Sequence, residues 1–437
     1  MTNRRSGKER MDSDRRTSAW TWIALLVLCL ALRLAGIAWT PVPEVVKDAA
    51  QYDAIARNLL SGSYAIQPGV PTMHRLPGYP FFLAVIYAVC GHRLVWALVV
   101  QAVIDTLACF TLLWAGSLIY PDSRRRWVAV LPAALYAVYL PSILVTRMIS
   151  SELLFCVLLI IGAYHLLVWF RDGRTARAAV AGFFLGLADM TRGGLLPFAG
   201  LVAALGALSR RRPGGAALLL ASHLLVLTPW AVRNYVVFHQ LRLYSTLGGK
   251  SLWAGNNPYS HGDYPPVASP EFRSFLRDRP EFVEYEKKAV DGRFAAEGDR
   301  AYARLAVQFM REHPGTLLRT VPRKLFRLYW APFLPRDKPF SRWEKIALEL
   351  MHLGILAGGL AGMLMMRGSL RAVLVMLPGY WTFLHIFIIY GMPRFAYPIM
   401  FVFMLLLPAA IPLRPGLPPD GGAAVGSRDS EAAARGA

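Results

Sequence analysis

The residues in this chain best suited to chemistry are charged groups at the edges of long apolar runs. Asp48 opens the stretch DAAQYDAIARNLLSG directly after the first such run. His74 and Arg75 precede LPGYPFFLAVIYAVCG, Arg147 and Glu152 flank the start of SSELLF, and Asp189 and Arg192 lie in LADMTRGG. Arg233 and Asn234 close TPWAVRNY, and Arg394 stands in GMPRFAYP. Ionisable groups near membrane depth are expensive, which makes them functional candidates by default. A carboxylate can take a proton from a reacting hydroxyl, and the planar fork of arginine binds phosphate through paired, charge-assisted hydrogen bonds. Each residue also has a structural reading. Asp48 followed three residues later by Gln51 has the form of a helix N-cap with its N3 partner. Glu152 after Ser150 and Ser151 can start a helix, and Arg147, Arg192, Arg233 and Arg394 can anchor span ends. Trp230, Tyr235, Tyr390 and Tyr397 suit an interfacial aromatic belt.

The elements that must position these residues are membrane helices. The 437-residue chain is 55% hydrophobic with a mean hydropathy of +0.38, the composition of a polytopic membrane protein. A hydrocarbon core of roughly 30 Å needs about 20 apolar residues. Such runs appear at 19–40, 94–120, 127–145, 150–170, 215–238, 346–366, 372–390 and 396–413, with shorter candidates at 178–190 and 195–208. The expectation is an all-α polytopic membrane protein with about ten transmembrane helices. The first run is too long and too strongly flanked for a cleaved signal peptide and should stay as an anchor.

The formal charge of +21 sits largely in short loops. Arg4, Arg5, Lys8, Arg10, Arg15 and Arg16 precede the first span; Arg124, Arg125 and Arg126 form a second cluster; Arg171, Arg174 and Arg177 form a third. Arg210, Arg211 and Arg212, then Arg367 and Arg371, then the tail near Arg414 continue the series. This is a positive-inside pattern rather than a nucleic-acid patch, and it puts both termini in the cytoplasm. Counting crossings from these anchors places Asp48, Glu152, Arg192, Arg233 and Arg394 together on the outer face of a cytoplasmic membrane. It also leaves 76–91, about 15 residues opening on Pro77, Gly78 and Pro80, as a re-entrant or interfacial piece that walls a site.

The resulting organisation is a basic tail (1–18), a catalytic transmembrane module (19–238) with a first external loop at 41–93, an external loop domain (239–341), C-terminal transmembrane helices (342–413) and a disordered cytoplasmic tail (414–437). Within the loop domain, GNNPYSHGDY (255–264) reads as a turn, and 270–330 as charged helices that cover the cavity as a lid. LGGKS (247–251) has the end of a phosphate-binding loop, but Tyr244 stands where that motif needs glycine. Cys29, Cys90, Cys109 and Cys156 lie in or beside apolar runs without CxxC spacing, and no HExxH occurs.

In order along the chain, DAAQYDAIARNLLSG, HRLPGYPFFLAVIYAVCG, SSELLF, LADMTRGGLLP, TPWAVRNYVVF with GNNPY, and GMPRFAYP give a sequence that resembles bacterial GT-C glycosyltransferases over residues 19–410. Within that superfamily it looks like the branch containing protein O-mannosyltransferases, the lipid A aminoarabinose transferase and their uncharacterised relatives. The resemblance implies an integral membrane enzyme that moves one sugar from a polyprenyl-phosphate carrier to a glycan, lipid or protein acceptor on the outer side, without nucleotide or other cofactor. It maps the family's acid, as catalytic base, onto Asp48. It makes Arg75, Arg192, Arg233 and Arg394 the candidates for the donor phosphate. Tyr52, His74, Glu152, Asn256, Asn257 and Tyr259 are then the expected acceptor or cavity residues. Two departures from the family stand out: Ala49 replaces a second acid, which argues against a divalent metal, and Thr191, Arg192, Gly193, Gly194 stand where relatives have Thr-Arg-Pro-Glu. Direct displacement with one base implies inversion at the anomeric carbon. A transporter or flippase, or a non-catalytic envelope assembly protein, is the competing reading from another class.

Overall fold

The long apolar runs fold as helices because a backbone in lipid must satisfy its polar groups within its own segment. The computed structural model describes residues 2–39, 44–121, 126–209, 212–260, 269–334 and 340–411, with side chains from Ala19 onward, Ser209 excepted. Arg124, Arg125, Arg210, Arg211, residues 261–268 and 335–339, the tail that includes Arg414, and the side chains of the basic N-terminal segment lie outside the described residues.

Helix α1 (Thr2–Ala38) leads to a first loop containing α2 (Asp48–Leu60), the hairpin strands β1 (Ala65–Gln67) and β2 (Val70–Pro71), and α3 (Gly78–Cys90). Then follow α4 (Leu94–Ile119), α5 (Arg126–Val138), α6 (Leu140–Val145), α7 (Ser151–Asp172), α8 (Thr175–Thr191), α9 (Leu196–Ser209) and α10 (Pro213–Phe238). The loop domain holds α11 (Gly248–Gly255), α12 (Pro270–Asp278), α13 (Pro280–Lys287), α14 (Gly292–Glu312) and α15 (Pro314–Tyr329). The chain returns through α16 (Arg342–Met365), α17 (Leu370–Phe383) with a π-helical turn at Leu384–Ile388, α18 (Pro393–Ala396) and α19 (Met400–Leu406).

Among the described residues, seven stretches are long and apolar enough to cross a membrane: Ala19–Ala38, Leu94–Ile119, Ser151–Asp172, Pro213–Phe238, Arg342–Met365, Leu370–Ile388 and Pro393–Ala410. The protein is an all-α, multi-pass membrane protein. The other three anticipated spans correspond to the α5–α6 pair, α8 and α9, which are shorter. α7 is the most enclosed long helix of the first module, packed between α4 and α8, and α8 lies along α10.

The run 127–145 is not one helix, contrary to its reading as a single span. Tyr139 is extended (φ −66, ψ 106) and Pro141 stands in the first turn of α6, so the helix breaks and restarts. Proline removes a backbone donor and suits a helix start rather than an interior. The break is braced by an ion pair buried among the spans. Arg33 Nε donates to Asp105 Oδ2 at 2.7 Å, while its Nη1 and Nη2 donate to the carbonyls of Ala137 (2.6 Å) and Tyr136 (3.2 Å). Tyr136 OH completes the brace on Asp105 Oδ1 at 2.5 Å. Both charged side chains are fully buried, so removing one strands the other. Asp105→Leu is expected to lower stability by about 3–5 kcal/mol, read as thermal unfolding in detergent. Adding Arg33→Met should recover part of that loss, since the carbonyls at the break stay unsatisfied.

The first loop is built from two short helices that pack on each other and a two-stranded hairpin turned at Gly69. The apolar stripe of α2 faces inward, with Tyr52, Ile55 and Ala56 buried and Ala49 and Leu59 packed beside them. α3 has 13 residues, shorter than a span as anticipated, and its Tyr79 OH donates to Gln101 Oε1 of α4 at 2.6 Å.

The loop domain has its own aromatic core of Trp253, Phe272, Phe275, Phe282 and Tyr302. It rests on the segment between α17 and α18. Buried Lys324 of α15 donates to Asn256 Oδ1 (2.9 Å) and the Ile389 carbonyl (3.2 Å). Burial alone pulls that ammonium down to about 8. A Cβ on Gly255 would lie 1.5 Å from the Ile389 oxygen, so only glycine permits this approach. Leu328 packs on Phe395 and Ala396, immediately beside Arg394.

Candidate functional site

Five local structures deliver charged side chains to one place. Asp48 is the first residue of α2, and Arg75 lies in the loop between β2 and α3. Glu152 is in the first turn of α7. Arg192 is the extended residue (φ −153, ψ 104) that ends α8, followed by Gly194 at φ +116, a backbone conformation that favours glycine. Arg394 sits in the single turn of α18 behind Pro393.

These five residues form one continuous chain of ion pairs. Arg75 Nη2 donates to Asp48 Oδ1 at 2.5 Å, and Arg394 Nη1 donates to Asp48 Oδ2 at 3.1 Å. Arg394 Nε then donates to Glu152 Oε1, which also accepts from Arg192 Nη1 at 2.5 Å. The order Arg75, Asp48, Arg394, Glu152, Arg192 joins residues 346 positions apart. Exposure is graded along it: Asp48 is the most open at 36% and Glu152 is fully buried. The second oxygen of Glu152 is buried without a hydrogen-bond partner among the described residues. Burial pushes the Asp48 carboxyl up, but Arg75 and Arg394 outweigh it and hold the group below its usual range. Burial likewise opposes the charge on Arg75, which Tyr52 and Asp48 restore, leaving it above the ordinary value.

The arginines have further supports. Arg75 Nε donates to Gln51 Oε1 at 2.7 Å, and its guanidinium lies over the Tyr52 ring at 5.3 Å. Tyr52 OH in turn donates to Ser151 Oγ at 3.3 Å, one residue from Glu152. Arg192 lies over the Phe395 ring at 4.9 Å. The turn that carries Arg192 is pinned from behind by Asp189, whose Oδ1 accepts from the Leu195 N–H (2.8 Å) and whose Oδ2 accepts from Tyr244 OH (2.8 Å). Buried His223 completes that cluster, with Nε2 at 3.0 Å from Asp189 Oδ2.

The N-cap reading of Asp48 is overturned. Lys47 is the residue before the helix, no side chain caps it, and the Asp48 carboxylate is turned to arginines instead of backbone N–H groups. Gln51 serves Arg75 rather than the helix end. Lys47 carries a φ of +53, uncommon for a residue with a side chain, directly before the acid.

Other anticipated site residues are placed elsewhere. Arg233 does not join the chain. It donates to the carbonyls of Thr72 (2.7 Å) and Tyr64 (3.3 Å) and lies between the rings of Tyr64, Trp230 and Phe238, each within 5.2 Å. It therefore staples the hairpin of the first loop to α10. Arg233→Met is expected to lower the thermal midpoint, read as unfolding in detergent, because the Thr72 and Tyr64 carbonyls lose their donor and three rings lose the cation between them. His74 is buried behind the site. Burial, helped by Arg75 and Lys250, keeps its imidazole neutral down to about 3. Asn256 and Asn257 spend their side chains on turn contacts: Asn256 Nδ2 donates to the carbonyls of Leu252 and Ile388, and Asn257 Nδ2 to that of Trp253. The backbone N–H of Tyr259 donates to Asn257 Oδ1 at 2.8 Å, and its ring packs on the aromatic core of the loop domain.

No family model matches the sequence, and no curated protein matches it. Among solved structures, the chain is similar to ArnT from Cupriavidus metallidurans, bound to undecaprenyl phosphate, at 14% identity over 90% of this chain and 77% of that one, with a TM-score of 0.45. The apo state of the same protein gives a TM-score of 0.40 at the same identity and coverage.

Chemically, the cluster offers an ionised carboxylate at a partly open position and three guanidinium groups anchored by buried or stacked neighbours. An acid held beside preorganised cations suits a reaction in which a proton is taken on one side and negative charge develops on the other. Among the described residues, no group of three His, Cys, Asp or Glu side chains is placed to hold a metal ion.

Proposed function

We propose that this protein is a membrane glycosyltransferase that passes a single sugar from a polyprenyl-phosphate carrier to an acceptor hydroxyl on the outer face of the cytoplasmic membrane. The observation that carries the reading is the single chain of ion pairs made by Asp48, Arg75, Arg394, Glu152 and Arg192 from segments spread over the whole sequence. The order of motifs around these five residues, which resembles GT-C glycosyltransferases, supports it.

In the proposed reaction the acceptor oxygen attacks the anomeric carbon, and the bond from that carbon to the phosphate oxygen breaks with its electron pair going to the phosphate. The acceptor proton passes to Asp48. Arg75 and Arg394 face the phosphate, and Arg192 supports the same end through Glu152. Positioned proton transfer contributes about 10² to 10⁴ in rate, and cations aimed at the developing phosphate charge are usually the largest contribution. In this reading the leaving group is met by guanidinium charge without a divalent metal, and one direct displacement inverts the anomeric centre. The activated donor is already lipid-linked, so no nucleotide site is needed. The acceptor is a glycan, lipid or protein.

A photoreactive polyprenyl phosphate tests the assignment in membranes. The label should map to peptides containing Arg75, Arg192 or Arg394 and be displaced by unlabelled polyprenyl phosphate. Labelling confined to other regions, or accelerated flipping of the carrier in proteoliposomes without sugar transfer, would favour the transporter reading.

A further inference from the structure

Both oxygens of Asp48 already accept from guanidinium groups, which makes the carboxylate a weaker base toward an acceptor proton. Oδ1 is held by Arg75 and Oδ2 by Arg394. Its two partners do not depend on it in return. Arg75 keeps Gln51 on Nε and the Tyr52 ring under its guanidinium, and Arg394 keeps Glu152 on its Nε. If the Asp48 carboxylate swung away, both guanidinium groups would stay in place. The N–H groups freed, Nη2 of Arg75 and Nη1 of Arg394, already converge on one small anion, because they converge on one carboxylate. A phosphate accepts the same forked donors. Asp48 is also the most solvent-exposed member of the chain, so it is the one with room to leave.

We propose that the donor phosphate and the Asp48 carboxylate compete for these two arginines, so that donor binding itself releases Asp48 to act as the base. This rests on the glycosyltransferase reading of the same site and adds its regulation. Before the donor arrives, Asp48 is an internal counter-ion for Arg75 and Arg394, whose positions are fixed by Gln51, Tyr52 and Glu152. Once the donor is seated, the carboxylate faces the acceptor with neither guanidinium on it.

Charge follows the cycle consistently. Three guanidiniums and two carboxylates leave the chain with one net positive charge, which matches the single negative charge of a phosphodiester donor. Transfer moves the acceptor proton onto Asp48 and leaves the carrier as a phosphate monoester of about −1.5 to −2. Neutralising Asp48 raises the chain to two positive charges at that moment, so product and site again balance. Loss of the proton from Asp48 restores the competing carboxylate, which then helps expel the spent carrier. Donor binding therefore makes Asp48 a stronger base than it is while Arg75 and Arg394 hold it.

The test is equilibrium binding of a polyprenyl phosphate to the purified full chain in lipid nanodiscs. Asp48→Asn, which keeps shape and removes the competing charge, is expected to bind it about tenfold more tightly than wild type while transferring sugar more slowly; Asp48→Ser should do the same. Asp53→Asn is the control, since it removes the same charge from the same helix at a residue paired with Arg57 and His92 instead. It should leave the affinity unchanged. Equal or weaker binding by both folded Asp48 variants overturns the exchange, and so does an equal gain in Asp53→Asn. If wild type and variants alike fail to bind polyprenyl phosphate, the glycosyltransferase reading itself falls and the exchange with it.

Discussion

Asp48→Asn is expected to slow sugar transfer by about 10² to 10⁴, the usual contribution of a positioned base, with little change in the thermal midpoint. The side chain is partly exposed and its backbone N–H and helix position are kept, so the lesion should be chemical rather than structural. The pH profile gives a second reading of the same residue. Arg75 and Arg394 hold its carboxyl below the ordinary range in the free protein, against roughly 3.9 for an unperturbed aspartate. A depressed pKa keeps the base ionised as pH falls, so the acid limb of kcat/KM, which reports the free enzyme, should lie below that ordinary value. Any stability that these ion pairs give Asp48 is likewise complete above the unfolded value and lost only as pH falls through the lowered one. In Asp48→Asn the acid limb should disappear with the activity. A variant that keeps wild-type rate would show that Asp48 is not the base.

Glu152→Gln should fail differently, losing both activity and stability. Glu152 is fully buried and its Oε1 accepts from Arg192 and Arg394 together. Without that charge, two guanidinium groups face each other across a neutral amide in a site largely closed to water. Removing one partner of a buried ion pair typically costs about 3–5 kcal/mol, and here two arginines lose their anchor at once. In the proposed reaction transfer should drop as well, because Arg394 and Arg192 lose the anion that positions them. Thermal unfolding and initial rates, measured on the same preparation, separate the two acids: Asp48→Asn lowers rate alone, Glu152→Gln lowers both. A Glu152→Gln protein with a wild-type midpoint would contradict its role as the buried anion of the chain.

Membrane proteins write their expensive charges into the sequence, and that is why most of the site was legible there. Asp48, Arg75, Glu152, Arg192 and Arg394 each stood out as a charge at the end of an apolar run, and the structure brings all five into contact. The same signal could not separate Arg233 from them. What decides its role is the set of rings around it, Tyr64, Trp230 and Phe238, and the first of these is 169 positions away. Asp48 itself shows how a local rule gives way to a tertiary one. The Asp48–Gln51 spacing fits a capping motif, but two arginines from 27 and 346 residues away outbid the backbone N–H groups for the carboxylate. Asn256 and Asn257 looked available in a turn-rich stretch, whereas the turn needs their amides for its own carbonyls. The pair Arg33 and Asp105 was hidden inside two spans read as apolar. Nothing local announces that the helix break at Tyr139 leaves carbonyls for Arg33 to satisfy.

The most direct test of the account is transfer itself. Purified full-length protein in a bilayer is given a panel of radiolabelled polyprenyl-phosphate sugars together with envelope lipid, glycan and protein acceptors. Wild type is expected to consume one donor and release polyprenyl phosphate in step with label appearing on an acceptor. Asp48→Asn should do so at least about 10²-fold more slowly, and Arg233→Met at close to the wild-type rate. Equal transfer by wild type and Asp48→Asn, or consumption of no donor by a folded wild-type protein, would contradict the assignment of this ion chain as a glycosyl-transfer site.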